Sequence, residues 1–433
     1  MSRASNLAKA IGADGTLNVA DVAGLAAVAS SGSASDLSTG TLPIARIADG
    51  AVTSAKIADG TIATGDIADG AITYAKLSSD VQGDMNMFKN RIINGAMTID
   101  QRNNGASVTT SVLQTLTFTL DRWGYYNDVV SKRTIQQVTT APPGFKNSLK
   151  VTVVATDTVG PQQFLRQSIE GFNIADFGWG TANAQPVTLS FWVRSSVTGQ
   201  HGGSLQNSNS ARSYPFAYTI NSADTWEYKT IAISGDTSGS WSTDNGIGIA
   251  VQFENGPGYQ KATAGTWVGQ NSTSSTGSVN LCATNGATWY LTGVQLEKGS
   301  TATSFDYRPI GTELALCHRY YIIVPALVAH HMGYTSSTMM AAYNTPVAMR
   351  APPSIGLTTT SPYAENQPWQ SVGSLTSASI SYNGSHFNIL GGEMKINGTW
   401  SPTPASGQPW MIGGQEGTNK LACGGPIFLT AEL

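Results

Sequence analysis

Large aliphatic side chains fall at every fifth position between residues 42 and 77: Leu42, Ile47, Val52, Ile57, Ile62, Ile67, Ile72 and Leu77. On a continuous helix, five residues advance roughly 140° beyond a full turn, so these positions would spiral around the rod. On a continuous strand, odd spacing sends successive side chains to opposite faces. Neither regular element lines them up. The tripeptide Ala-Asp-Gly recurs with a ten-residue period, ending at Gly50, Gly60 and Gly70. Glycine accepts positive φ and aspartate bonds its own backbone, so each Asp-Gly pair predicts a turn. Short segments joined by such turns can realign the apolar column.

A chain with one large apolar residue in five cannot bury that residue by itself. Repeat units of this kind gain stability by stacking or by association. The economical arrangement is several identical copies around a common axis, with Ile47, Val52, Ile57, Ile62, Ile67, Ile72 and Leu77 inside. Arg46, Lys56, Asp66 and Lys76 each directly precede a residue of the column and would face solvent. The alternative is a flexible Ala/Gly/Thr tether.

From about residue 85 the pattern changes to alternation. Segments 187–193 (VTLSFWV), 228–233 (YKTIAI), 247–253 (IGIAVQF) and 288–296 (TWYLTGVQL) are separated by Gly, Asn, Asp and Ser clusters. Short alternating strands so punctuated predict a sandwich or jelly roll. Residues 313–321 (ELALCHRYY) read as a brief helix leading out of it. The last ~110 residues again read as β, with hairpin turns at Asn383-Gly384 and Asn397-Gly398. Four regions result. Residues 1–40 form an attachment region with a short helix over 18–29 and a small-residue linker. Residues 41–84 form the repeat stalk, 85–312 the jelly-roll domain and 313–433 a C-terminal β-domain.

Composition narrows the function. Apolar residues make up 40% of the 433, and charged residues only 12%, about half the ~25% usual in soluble domains. Such a surface suits β-structure with large contacts between subunits. The net charge is −3 and no Lys/Arg run is present, so nucleic acid is not expected as a partner. Cys282, Cys317 and Cys423 are odd in number and widely spaced, without a CxxC. Buried free thiols are expected, consistent with assembly in a reducing cytoplasm. Residues 1–15 lack a charged-then-apolar signal pattern. The longest apolar run, 320–329, is broken by Pro325 and falls short of the ~18 residues of a membrane span, so a soluble product is expected.

Several motifs have a family likeness. Residues 89–97 (KNRIINGAM) with Asp100-Gln101-Arg102, then Asp121-Arg122-Trp123, resemble the opening of β-sandwich modules in bacteriophage tail proteins. Phe191-Trp192-Val193-Arg194-Ser195 is similar to the same modules, and so is 293–299 (GVQLEKG) running into Phe305-Asp306-Tyr307-Arg308-Pro309. The Ile-Ala-Asp-Gly stalk and the closing Ala431-Glu432-Leu433 resemble phage tail fibres. The likeness covers roughly residues 40–321. It implies a mainly β, elongated homotrimeric fibre with a repeat stalk, a jelly roll like carbohydrate-binding modules and a distal receptor-binding tip. It also implies a virion tail component, held to a baseplate or tail protein through its N-terminal region and assembled in the host cytoplasm. Its ligand would be a host surface polysaccharide or an outer-membrane receptor, bound without a cofactor. Residues 322–430 match no named motif.

Trp123, Trp192 and Trp289 sit in apolar strand patterns and read as core. Trp241, Trp267, Trp369, Trp400 and Trp410 lie in Ser/Gly/Asn/Pro-rich stretches that read as loops. Sugars are gripped by aromatic faces and planar polar groups, so Tyr363, Trp369, Trp400 and Trp410 are the ligand-binding candidates. A glycosidase needs two carboxyl groups about 5–9.5 Å apart. Glu365, Glu393 and Glu416 are isolated in sequence, and no nucleophile signature such as GxSxG is present. No enzyme and no metal is expected. His330-His331, which could line a trimer axis, lack the i, i+4 spacing of a helical zinc pair. A polysaccharide depolymerase and a purely structural tail connector remain the rival readings.

Overall fold

The computed structural model describes residues 52–53, 57–58, 60–69, 71–72, 76–77, 88–110, 113–128, 132–324, 327–330, 338–357, 363–366, 370–388, 391–400, 409–416, 420–422 and 427–433. The chain divides into two compact units, residues 1–76 and 77–433.

In the first unit the repeat turns at the second and third of its Ala-Asp-Gly steps; the first lies outside the described residues. The Ala58 carbonyl accepts from the Thr61 amide at 3.2 Å and the Ala68 carbonyl from the Ala71 amide at 2.9 Å. Gly60 sits at φ +77°, the left-handed value that glycine adopts without a Cβ penalty. A 3-10 turn follows at Thr64–Asp66, where Asp66 Oδ2 accepts from the Ala63 amide at 2.9 Å. Val52, Ile57, Ile62, Ile67 and Ile72 are between 41% and 58% exposed in the single chain. The turns leave the column open to solvent, as one residue in five requires. Ile47 lies outside the described residues; Leu77 is half-buried in the second unit.

The second unit is built on a jelly-roll β-sandwich of two six-stranded antiparallel sheets. Its strands are β1 (Val108–Thr109), β2 (Thr117–Leu120), β3 (Trp123–Asn127), β4 (Arg133–Val138), β5 (Ser148–Val153) and β6 (Gln163–Glu170). They continue as β7 (Val187–Ser195), β8 (Gly199–Gln206), β9 (Ser213–Ile220), β10 (Glu227–Ile233), β11 (Ile247–Glu254) and β12 (Thr288–Lys298). One sheet runs β1-β4-β5-β12-β7-β10 and the other β2-β3-β6-β11-β8-β9. The alternation read from sequence places Val187, Leu189, Phe191 and Val193 of β7 inward. They meet Leu205, Phe216, Ile249, Val251 and Phe253 of the opposite sheet in one continuous core.

Strand β12 shows how the sequence adjusts its own register. Trp289 and Leu291 point inward at odd positions, whereas Val294 and Leu296 point inward at even ones. The pairing with β7 shifts between Thr292 and Gln295, and Gly293 takes φ +61° there. This bulge absorbs one residue and returns both apolar pairs to the core.

The motif residues that resembled phage modules tie this sandwich together. Asn90 Nδ2 donates to the Val294 carbonyl at 3.0 Å, and Trp123 Nε1 donates to the Asn94 carbonyl at 3.0 Å. Gly95 lies so close to the Val294 carbonyl that a Cβ would collide with it. The thiols of Cys282 and Cys317 are buried and free, as expected; Cys423 lies outside the described residues.

Helix α1 (Ile310–His318) follows β12, three residues earlier than the sequence pattern placed it, because Pro309 can precede the first turn but not continue one. Beyond it, β13 (Tyr321–Val324), β16 (Ser354–Leu357) and β22 (Ile427–Thr430) form a sheet in the order β13-β22-β16. The chain therefore leaves this sheet at Val324 and its last strand re-enters beside that exit. A seven-stranded sheet contains β14 (Leu327–His330), β15 (Thr338–Asn344), β17 (Tyr363–Asn366), β18 (Gln370–Asn388), β19 (Gly391–Trp400), β20 (Pro409–Glu416) and β21 (Lys420–Ala422).

Two expected turns are corrected here. Asn383-Gly384 lies inside β18, at a register shift between Tyr382 and Phe387, and Asn397-Gly398 lies inside β19, paired with Ser379 and Ala378. Pairing with Ser379 and Ala378 keeps Asn397-Gly398 in a ladder, whereas Asn383-Gly384 occupies the irregular step of β18.

The C-terminal residues return to the sandwich. Glu432 pairs with Arg122 and, at 2.7 Å, with Arg102. The Arg122 guanidinium lies 3.5 Å from the Tyr320 ring centroid and donates to the Ser168 carbonyl. Burial works against the Arg122 charge, but the Glu432 carboxylate together with Tyr320 and Cys317 outweighs it, so the guanidinium is held above its ordinary pKa.

Candidate functional site

The outward-facing residues of β7 and β10 form the floor of a cleft. Odd-numbered residues of β7 face the core, so Ser190 and Trp192 must face out. Register then sets Tyr228 opposite Trp192 and Thr230 opposite Ser190. The two rings lie 5.3 Å apart and 47° tilted. Trp192 is half-buried and Tyr228 exposed. This corrects the sequence expectation of a core Trp192. In a run of two adjacent aromatics on a strand only one can point inward, and Phe191 takes that place. Trp123 and Trp289 are fully buried, as expected.

The wall comes from elsewhere in the chain. After β12, residues 299–309 fold back as a strap over the same sheet face. Glu297 accepts from the Thr303 amide at 2.9 Å and from its hydroxyl at 2.6 Å. Gln295 accepts from the Asp306 amide at 2.8 Å. Arg308 donates to the Asn90 and Ile92 carbonyls and pairs with Glu313 at 3.2 Å. So pinned, the strap packs Phe305 and Tyr307 on Phe145, with ring centroids 5.1 and 5.5 Å away. Tyr307 donates its hydroxyl to the Gly144 carbonyl at 3.0 Å and leaves most of its ring in solvent.

The β12 bulge makes this approach possible. A Cβ on Gly293 would stand 2.7 Å from Phe145 Cζ and 3.1 Å from Trp192 Cδ1. Glycine here serves the backbone angle and lets wall and floor close on each other. The resulting cleft has a volume of about 570 Å³, within the ~300–1,000 Å³ of small-molecule sites. The Trp192–Tyr228 pair and the Phe145–Phe305–Tyr307 trio flank hydroxyls of Ser190, Thr230, Thr301 and Thr303, and no carboxylate or cation lines it. Burial pushes the Tyr228 and Tyr307 hydroxyls above their ordinary pKa, so both stay neutral at physiological pH, and Tyr307, whose proton is given to Gly144, can still accept. A smaller cavity of about 220 Å³ lies on the other side of the Phe145–Phe305–Tyr307 wall.

The sequence candidates fall elsewhere. Trp369 lies outside the described residues. Tyr363 is in β17 and Trp410 in the adjacent β20, where Trp410 pairs with Asn366 and Tyr363 with Gly413; Trp400 closes β19 opposite Leu375. Trp400 and Trp410 are thus strand residues, not the loop residues expected, because the Gly-rich segments 391–392 and 413–414 pair as strands too. Trp241 and Trp267 do lie in loops. They form a three-tryptophan cluster with Trp179, with centroids 4.8–5.3 Å apart. Trp241 Nε1 donates to Asp236 at 3.2 Å and Trp267 Nε1 to the Ser234 carbonyl at 2.8 Å, which marks a packed loop base. Glu365, Glu393 and Glu416 face Met411, Ala342 and Lys420 in register, not one another. His330 lies in β14 and His331 outside the described residues. Among the described residues no cluster of three or more His, Cys, Asp or Glu is placed to hold a metal.

No family model matches this sequence, and no curated protein matches it. Solved structures overlap about half of it. The enzymatically active domain of tailspike protein 4 of bacteriophage CBA120 is similar over 49% of this chain, at 11% identity and a TM-score of 0.28; the overlap spans 22% of that chain. The family 11 carbohydrate-binding module of a cellulosomal cellulase of Clostridium thermocellum is similar over 47% of this chain and 99% of its own, at 15% identity and a TM-score of 0.23. A xylan-binding domain from Paenibacillus barcinonensis is similar over 46% of this chain and 97% of its own, at 13% identity and a TM-score of 0.23. At these values none of the likenesses assigns the cleft, whose reading rests on its own side chains.

Proposed function

We propose that this chain is the receptor-binding subunit of a phage tail fibre and attaches the virion to a glycan on the host surface without cleaving it. The observation that carries the reading is the open cleft with aromatic faces on two sides of a hydroxyl-bearing floor. Sugar rings present apolar C–H faces and equatorial hydroxyls, and this lining offers a partner for each. The absence of any carboxylate from the lining speaks for retention over hydrolysis, since glycosidic cleavage needs an acid and a second carboxylate across the bond. The exposed five-spaced aliphatics support the second half of the proposal, a stalk in which three copies enclose the column. In this reading the N-terminal region meets a baseplate or tail protein, and the tip beyond Val324 adds host contacts.

The test is affinity electrophoresis of the full-length protein in gels containing extracted host polysaccharide, with Trp192→Ala and Tyr228→Ala beside it. Retardation of the wild type, weakened at least tenfold in each variant, is the expected result. Equal retardation of all three would sink the cleft as the site. A reducing-sugar assay on the same polysaccharide should stay flat. Sedimentation equilibrium should return three chain masses, and a folded monomer at micromolar concentration would refute the stalk.

A further inference from the structure

We infer that the glycan held in the cleft is acidic, and that Arg194 and Lys150 read its negative charge. The inference rests on the cleft being a glycan site and names the class of glycan. It comes from the row of outward residues next to the cleft floor. Two residues along β7 from Trp192, on the same face, stands Arg194, about 7 Å further along the strand. Arg194 is paired in register with Tyr290 of β12, and Tyr290 with Lys150 of β5. Arg194 and Lys150 lie 5.0 and 5.6 Å from the Tyr290 ring centroid. Trp226, just before β10, borders the same ring at 6.1 Å. The outer sheet face therefore continues from the neutral cleft into an aromatic row carrying two cations.

These cations are incompletely matched within the chain. Arg194 meets the exposed Asp224 at 3.3 Å, and its Nε has no acceptor. Among the described residues Lys150 has no carboxylate within ion-pair distance, and its ammonium lies over the Tyr290 ring. One acid thus faces two cations, on a chain whose net charge is −3. A neutral glycan leaving the cleft along this row would strip water from both cations and return no charge to them. A carboxylate or phosphate on every second or third sugar would meet the Arg194 fork and the Lys150 ammonium, with the sugar face against aromatic rings.

The experiment uses full-length protein and three commercial polyanions: polygalacturonate, alginate and hyaluronate. Each is run against its own carboxyl-reduced form, which keeps the linkage and removes the charge. Affinity electrophoresis at 50 and 500 mM NaCl should show at least one polyanion held tenfold or more tighter than its reduced form, with the preference shrinking in high salt. Lys150→Gln with Arg194→Gln should abolish the preference and leave binding of the reduced form unchanged. Arg194→Glu, with a thermal transition matched to wild type, should reverse it. Equal retardation by charged and reduced forms overturns the acidic assignment and leaves the glycan site standing. Retardation by neutral host glycan alone overturns it too. If no polysaccharide of either kind retards the protein, the glycan site falls with it.

Discussion

Replacing Glu432 by Gln keeps the shape of a residue that closes the C-terminal sheet onto the sandwich, and removes its charge. Glu432 answers two guanidinium groups, those of Arg102 and Arg122, and its side chain is only 7% exposed. Arg122 is almost completely buried. Without the carboxylate it would retain the Ser168 carbonyl and the Tyr320 ring, neither of which carries a compensating charge. Removing one partner of a buried ion pair costs about 3–5 kcal/mol. Glutamine keeps one acceptor oxygen, so the low end, about 3 kcal/mol, is expected. The loss should be local, because β22 reaches the sandwich through the three residues that follow it. Other ties remain: the Arg350 side chain donates to the Ala431 carbonyl at 2.8 Å, the Ala431 amide donates to the Tyr320 carbonyl at 2.7 Å, and Leu433 packs against the cluster of Ile93, Ile99, Cys317 and Tyr320.

Hydrogen exchange on the intact protein reads this directly. A cost of about 3 kcal/mol corresponds to roughly a hundredfold increase in opening, at ~1.4 kcal/mol per decade. The amides of β13 and β22 should lose that protection while those of β7 and β11 keep theirs. Combining Glu432→Gln with Arg122→Met should cost much less than the two single changes added, since the second removes the charge the first orphans. Unchanged protection in β22, or strict additivity, would refute the clamp.

Glu254 is fully buried, and burial, only partly offset by hydrogen bonds from Thr273, Gly256 and Gln163, pushes its carboxyl up to about 7. The folded state then holds a proton that the unfolded state releases near pH 4.5. Stability should fall as pH rises from about 4.5 to 7, by roughly 3 kcal/mol at ~1.4 kcal/mol per pH unit. Asp121, pushed up to about 6 by burial, adds a smaller fall in the same direction. The gap between urea midpoints at pH 4.5 and 7.5 should therefore narrow in Glu254→Gln, leaving the smaller Asp121 contribution, and an unchanged difference would dismiss the assignment. Gly293→Ala introduces a Cβ at φ +61° against Phe145. It should cost about 1–3 kcal/mol of stability and at least tenfold in polysaccharide binding, whereas intact binding in titration calorimetry would show that the bulge does not shape the cleft. Ile62→Asp with Ile67→Asp places charges in the aliphatic column. Analytical ultracentrifugation should show loss of association, and an unaltered mass would mean the column is not the contact.

The regular parts of the sandwich were readable because burial on one face imposes period two. The segments at 187–193, 228–233, 247–253 and 288–296 became β7, β10, β11 and β12 with ends shifted by a residue or two. The Asp-Gly turns were readable for a different reason, since their geometry is set within four residues. The cleft was not readable. Phe145, Trp192, Tyr228 and Phe305 come from four separate segments, and only sheet register and a one-residue bulge bring them together. Even so, signals were present. The strict inward alternation of Val187, Leu189, Phe191 and Val193 left Trp192 outside, and the Phe-Asp-Tyr motif held two of the wall aromatics. Gly and Pro near Trp400 and Trp410 point to loops on local composition alone. Sheet pairing, a long-range effect, overrode that local composition.

On the proposed function, the stalk and the cleft answer one energetic problem from opposite ends. The cleft is shallow, with Tyr228 43% and Tyr307 60% exposed, so a sugar seated there remains half in water and each copy binds weakly. Weak contacts exchange quickly, which lets a particle sample a surface, but one alone would not hold it. The aliphatic column presents the complementary deficit. Five apolar side chains that one chain leaves in solvent would, at ~0.8 kcal/mol per buried CH2, drive copies together. Once copies are joined, the second and third clefts bind at the effective concentration set by the assembly, and avidity exceeds single-site affinity by about 10²–10⁴. A tighter cleft would make association unnecessary, and a self-sufficient stalk would leave a single weak site. The low charge content fits the same logic, because copies that associate through neutral surfaces avoid the desolvation penalty of buried charges.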